Sequence, residues 1–136
     1  MRIVDLHCDT LIEGWRKPEK SFYDGDFSIN LKLLKENHSM LQFFAMYLSR
    51  NEMKTMDPYD ILKGIYGYYT KQMELHKDLI RPVYSVEEVL KNKEEGILSS
   101  LLTFNILILN SSILSSVNSK AKPSLPILYP VKLHGK

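Results

Sequence analysis

The sequence predicts an α/β chain built on a parallel sheet, and three observations predict it. Apolar runs sit at Ile3–Leu6, Leu41–Leu48 and Leu98–Phe104, the pattern of strands buried on both faces. Between the second and third of these lies a long stretch with helical spacing. Finally, a helix pattern from Ser85 to Glu95 passes through Gly96 directly into the third run. Helix, glycine, apolar strand is the rhythm of crossover units and of the parallel sheets they build.

Taken in order, Ile3 to Leu6 read as a short buried strand, apolar apart from Asp5. Leu11 to Gly14 begin a helical turn. Trp15 to Asp26 is polar and punctuated by Pro18 and Gly25, which predicts a loop. Asp24-Gly25-Asp26 lacks the rest of a twelve-residue calcium loop and reads as a turn. Ser28 is a candidate cap for a short helix whose apolar positions are Leu31, Leu33 and Leu34. Leu41 to Leu48 form the second strand, with Gln42 as an internal hydrogen-bonding group and His38, structural or solvated, in the loop before it.

Asp57-Pro58 is a strong helix start, an N-cap acceptor followed by proline at the first helical position. Ile61, Leu62, Ile65, Tyr66, Tyr69, Met73, His76 and Ile80 continue at helical spacing as a core-facing stripe, and Arg81-Pro82 stops it. Gly64 and Gly67 each weaken this helix by roughly 1 kcal/mol relative to alanine. Ser85-Val86-Glu87-Glu88 is a capping-box pattern, and Gly96 stands where a C′ residue would.

Composition bounds the function. With 136 residues the chain forms one small domain. A net charge of +2, with no Lys/Arg cluster interleaved with aromatics, argues against nucleic acid as a partner. The single Cys8 excludes an internal disulfide. Asp5, His7 and Asp9 interrupt any apolar leader segment, so a cytoplasmic location is expected. All 16 acidic residues lie at or before Glu95, and no charge of any kind occurs between Ile97 and Ser119. That uncharged stretch has about the length of a membrane helix, but serine and asparagine pairs interrupt it. An exposed, aggregation-prone segment is the better reading.

The candidate chemistry lies in Val4-Asp5-Leu6-His7-Cys8-Asp9. Side chains two apart on a strand share a face, so His7 and Asp9 project together, with Asp5 in the same row and Cys8 turned away. An imidazole beside a carboxylate at a strand end suits Zn²⁺ or a similar divalent ion. By spacing alone, H-x-D reads as a surface histidine satisfied by its neighbouring aspartate. Its position, closing an apolar strand, favours the metal reading of His7 and Asp9.

Val4 to Leu11 resembles the first-strand motif of the membrane (renal-type) dipeptidase family, peptidase M19. Ser39-Met40-Leu41-Gln42-Phe43-Phe44-Ala45-Met46-Tyr47 resembles that family's second strand, at matching separation, and the resemblance covers Met1 to Gly96. It implies a partial (β/α)8 barrel of about the first three β/α units, spanning Met1 to Phe104, with a divergent, irregular tail from Asn105 to Lys136. It also implies zinc as the cofactor, one or two ions, held in part by His7 and Asp9, and a dipeptide substrate attacked by metal-activated water.

The chain departs from the family at Asn105, where the motif after Leu101-Leu102-Thr103-Phe104 calls for a metal-bridging glutamate. A neutral amide is a poor bridge between two cations. His134, in a proline-rich tail, matches no family motif. A complete barrel needs about 250 residues. Together with the abrupt loss of charge after Glu95, these departures lead to the expectation of a truncated or frameshifted dipeptidase, inactive alone. Two alternatives stand beside it: a noncatalytic module that self-associates through exposed sheet edges, and another barrel hydrolase related to the amidohydrolases, which use H-x-H.

Overall fold

The computed structural model describes residues 3–104. The chain runs β1 (Ile3–Cys8), α1 (Thr10–Arg16), α2 (Leu31–Glu36), β2 (Ser39–Met46), α3 (Pro58–Leu75), β3 (Ile80–Pro82), α4 (Val86–Glu94) and β4 (Leu98–Phe104), with a 3₁₀ turn at Glu52–Lys54. The strands form one sheet in the order β1-β2-β4-β3, and every pairing is parallel. This is the expected α/β architecture, and it is consistent with part of a barrel. The tail expected to diverge from Asn105 onward, with His134, lies outside the described residues. The uncharged run after Gly96 opens as β4, and no helix among the described residues is long and apolar enough to cross a membrane.

Local chemistry sets most helix ends as expected. The Asp57 carboxylate accepts the Tyr59 N–H at 2.9 Å, ahead of Pro58. Ser85 Oγ accepts from Glu88 N, while the Glu88 carboxylate accepts from Ser85 N, each at 3.2 Å. Gly96 takes φ +72° just past α4, a conformation that costs glycine nothing.

Four expectations are corrected. First, α3 stops at Leu75, with His76 as its C-cap. Ile80 lies instead on β3, opposite Leu98, and is fully buried. The strand β4 supplies partners that a helix could not: Leu98 N–H donates to Leu79 O and Val83 N–H to Ser100 O. Pro82, lacking an N–H, is tolerated because β3 is an edge strand. Second, Asn30 rather than Ser28 caps α2, its Oδ1 accepting from Leu33 N at 2.9 Å. Third, Trp15 and Arg16 belong to α1. Fourth, β1 is not buried on both faces. As the other edge of the sheet, it leaves Ile3, Val4 and Leu6 exposed at 40%, 43% and 68%.

The core lies between the sheet and the helices. Leu11 and Ile12 of α1, Phe44 of β2 and Ile61 and Ile65 of α3 are almost wholly buried within one cluster. Two buried polar bonds tie helices to β4: the hydroxyls of Tyr69 and Ser100 lie 2.9 Å apart, and Asn92 Nδ2 donates to Ser99 Oγ at 3.2 Å. A polar group buried this deeply needs such a partner.

Helices α1 and α3 meet through glycine. The indole of Trp15 lies where a Cβ on Gly64 would stand, with Nε1 only 2.5 Å away, and Tyr68 of α3 occupies the corresponding space at Gly14. Gly64 is therefore a packing requirement, not merely a weak helix former. Gly67 has nothing within 4 Å of such a Cβ. Gly67→Ala should therefore raise stability by about 1 kcal/mol. Gly64→Ala should lower it by about 1–3 kcal/mol through overpacking. Urea melts of the two variants check both signs.

Candidate metal centre

The site is built where β1 ends and α1 begins. In parallel α/β sheets this carboxyl edge is where ligands bind, because the chain turns there from strand to helix and leaves side chains unburied. His7 is the penultimate residue of β1 and Asp9 the residue just before α1. Their side chains meet: His7 Nε2 lies 3.1 Å from Asp9 Oδ1, and the two remain 53% and 46% exposed.

Asp9 is spared the task its position invites. An aspartate at an N-cap ordinarily turns its carboxylate onto the first helical N–H groups. Here the side chain makes no capping bond, and only the Asp9 carbonyl serves the helix, accepting from Ile12 and Glu13 N–H. The carboxylate is thus directed to His7.

Cys8, between the two, faces the core. Burial pushes its thiol from about 9 up to about 11, although the Thr10 backbone N–H works in the opposite direction. Its burial on the core side of the strand keeps it apart from the exposed pair of His7 and Asp9. Thr10 secures the turn by donating from Oγ1 to Ile29 O at 2.6 Å.

Asp5 does not join the row that alternation predicts. The register between β1 and β2 slips: Asp5 lies opposite Gln42, but Cys8 lies opposite Phe44. Leu6 and His7 together face one residue, Phe43, which is the count of a β-bulge. The Asp5 carboxylate is also occupied. It accepts from His7 N–H at 3.2 Å and from Gln42 Nε2 at 3.1 Å. Gln42 is thus the internal hydrogen-bonding group expected, with a partner that periodicity does not reveal.

The other two histidines among the described residues lie elsewhere. His38 is exposed at the amino edge of β2 with φ +54°. There it lines a cleft of about 490 Å³ with Leu31, Lys35, Leu79 and Leu98. His76 stacks with Phe22 and with Tyr23 at centroid distances of 5.9 and 6.4 Å. Among the described residues, no group of three or more His, Cys, Asp or Glu side chains is placed to hold an ion.

The donor set of His7 and Asp9 fits part of a zinc shell. Two ligands roughly 2.1 Å from a tetrahedral ion stand about 3.4 Å apart, close to the separation found. The same distance serves a direct hydrogen bond. The pair can therefore exist closed on itself or opened slightly around a cation.

No family model matches this chain, and no curated protein matches it in sequence. Among solved structures, it is similar to the dipeptidase AC, a metallopeptidase of family M19. The TM-score is 0.65 at 18% identity, covering 77% of this chain and 37% of that one. At that identity the likeness shows a shared fold. The chain spans little more than a third of the neighbour's length.

The raised thiol pKa has a measurable consequence. A shift of two units leaves about 100-fold less thiolate at pH 8 than in an unfolded chain. Alkylation of Cys8 by iodoacetamide at pH 8 should be slower by at least that factor in the native protein than in urea. The native rate should climb with pH until about 11.

Proposed function

We propose that this chain is the amino-terminal, metal-binding part of a dipeptidase-like zinc hydrolase, with His7 and Asp9 as donors to one ion, and that it is catalytically silent alone. The observation that carries this reading is the contact of His7 with Asp9 at the carboxyl edge of a parallel sheet. Its fold is similar to that of a metallodipeptidase. Zn²⁺ held there would supply Lewis acidity and an activated water for attack on the peptide carbonyl of a dipeptide. His7 would contribute an imidazole nitrogen and Asp9 a carboxylate oxygen, and both side chains are exposed at the carboxyl edge of the sheet.

Silence follows from arithmetic of ligands. Catalytic zinc takes about three protein donors and leaves one position for water, and a two-ion site needs more. The described residues offer two. Calorimetric titration with Co²⁺ or Zn²⁺ should show weak binding of about one ion per chain, abolished by His7→Ala, with no hydrolysis of Gly-Leu. Absence of binding, or binding indifferent to His7, would overturn the assignment. Turnover lost with His7→Ala would overturn the silence.

A second reading is favoured by one observation. Three large apolar residues, Ile3, Val4 and Leu6, stand exposed along β1, an edge strand of the sheet among the described residues. Such an edge offers unpaired backbone groups to another strand, so the chain would associate with a second copy. Gel filtration should show a concentration-dependent dimer that Val4→Lys dissociates. A monomer at all concentrations counts against it.

A further inference from the structure

We propose that Gln42 and Asp5 are positioning residues that aim His7 out of the sheet and toward Asp9. The inference rests on the reading of His7 as a metal donor, but its geometry stands independently. Gln42 is fully buried on β2. Its Nε2 donates to Asp5 Oδ2 and to Phe43 O, each at 3.1 Å, while its Oε1 has no donor. A buried carbonyl without a partner is unfavourable, and an apolar side chain of similar shape would avoid it. What such a side chain could not do is hold the Asp5 carboxylate.

Asp5 passes the constraint on. Its second oxygen accepts the backbone N–H of His7 at 3.2 Å. That bond spans the residues where β1 carries one more residue than β2. Gln42 and Phe44, two apart on β2, share a face, and they lie opposite Asp5 and Cys8. Strict alternation from Asp5 would have put His7 on that buried face and turned Cys8 away from it. The bulge exchanges the two: Cys8 goes inward at 6% exposure and the His7 imidazole goes outward to Asp9. Bulges recur beside functional sites because they re-aim a side chain in this way. Here the carboxylate of Asp5, held by Gln42, closes the bulge. It thereby fixes which of two adjacent residues faces solvent.

The test uses the full chain with Gln42→Met, which keeps the volume and removes the amide, and Asp5→Leu, which keeps the volume and removes both acceptor oxygens. Co²⁺ affinity should fall about 10- to 100-fold, as for other groups that orient a ligand, with the melting temperature of Gln42→Met unchanged. Reaction of Cys8 with a disulfide reagent should rise at least about tenfold in both variants, because Cys8 is no longer held inward. This second readout needs no metal. If the unaltered chain binds no Co²⁺, the functional reading above fails, and the thiol rates alone decide the positioning role. Co²⁺ affinity and thiol rates both unchanged would overturn it. A fall in affinity merely proportional to lost stability would overturn it as well.

Discussion

Everything at the carboxyl edge depends on how β1 lies along β2. The central strands are regular, with Leu41 through Met46 in unbroken register against Ser99 through Phe104. Against this rigid template β1 is laid with a slip between Asp5 and Cys8. Because side chains alternate with a period of two, one extra residue decides which of two neighbours reaches the core. The slip puts the thiol inside and the imidazole outside. The bond from Asp5 to the His7 N–H, backed by Gln42, gives that slip a definite place.

The second constraint is the junction between β1 and α1. A short helix starting one residue after a strand leaves little choice of direction for the residue between them. Asp9 occupies that junction, and its carboxylate is withheld from capping and given to His7. Helix α1 is held in turn by the close packing of Trp15 on Gly64 and of Tyr68 on Gly14. Packing on one side of the sheet thus supports the polar pair at its rim. The chain brings together an imidazole and a carboxylate with the spacing of adjacent zinc donors. Both stand in a fold shared with a metallodipeptidase that this chain covers over 37% of its length.

Much of this was legible in the residues. Asp57-Pro58, the Ser85–Glu88 box and Gly96 mark element boundaries because each satisfies or relaxes its own backbone within a turn. The strands at Leu41 and Leu98 were visible as apolar runs, and the proximity of His7 to Asp9 as a spacing of two. The errors have a common cause. Ile80 fits the helical stripe of α3 as well as it fits a strand, and only the N–H and C=O groups of β4 arbitrate. Asn30 and Ser28 are both good caps, and the packing of Leu31 and Leu34 against the core chooses between them. Trp15 reads as loop until Gly64 is opposite it.

Short-range chemistry therefore specified the kinds of element, their caps and the adjacency of the two donors, since those rest on groups within a few residues of one another. The edge position of β1, the turning of Asp5 away from the pair and the extra strand at Ile80 were settled by residues up to 37 positions distant, Gln42 bonding Asp5 among them. Strand register and edge status are relations between strands. They come into being when one backbone finds its partners on another, and no single stretch of sequence contains both.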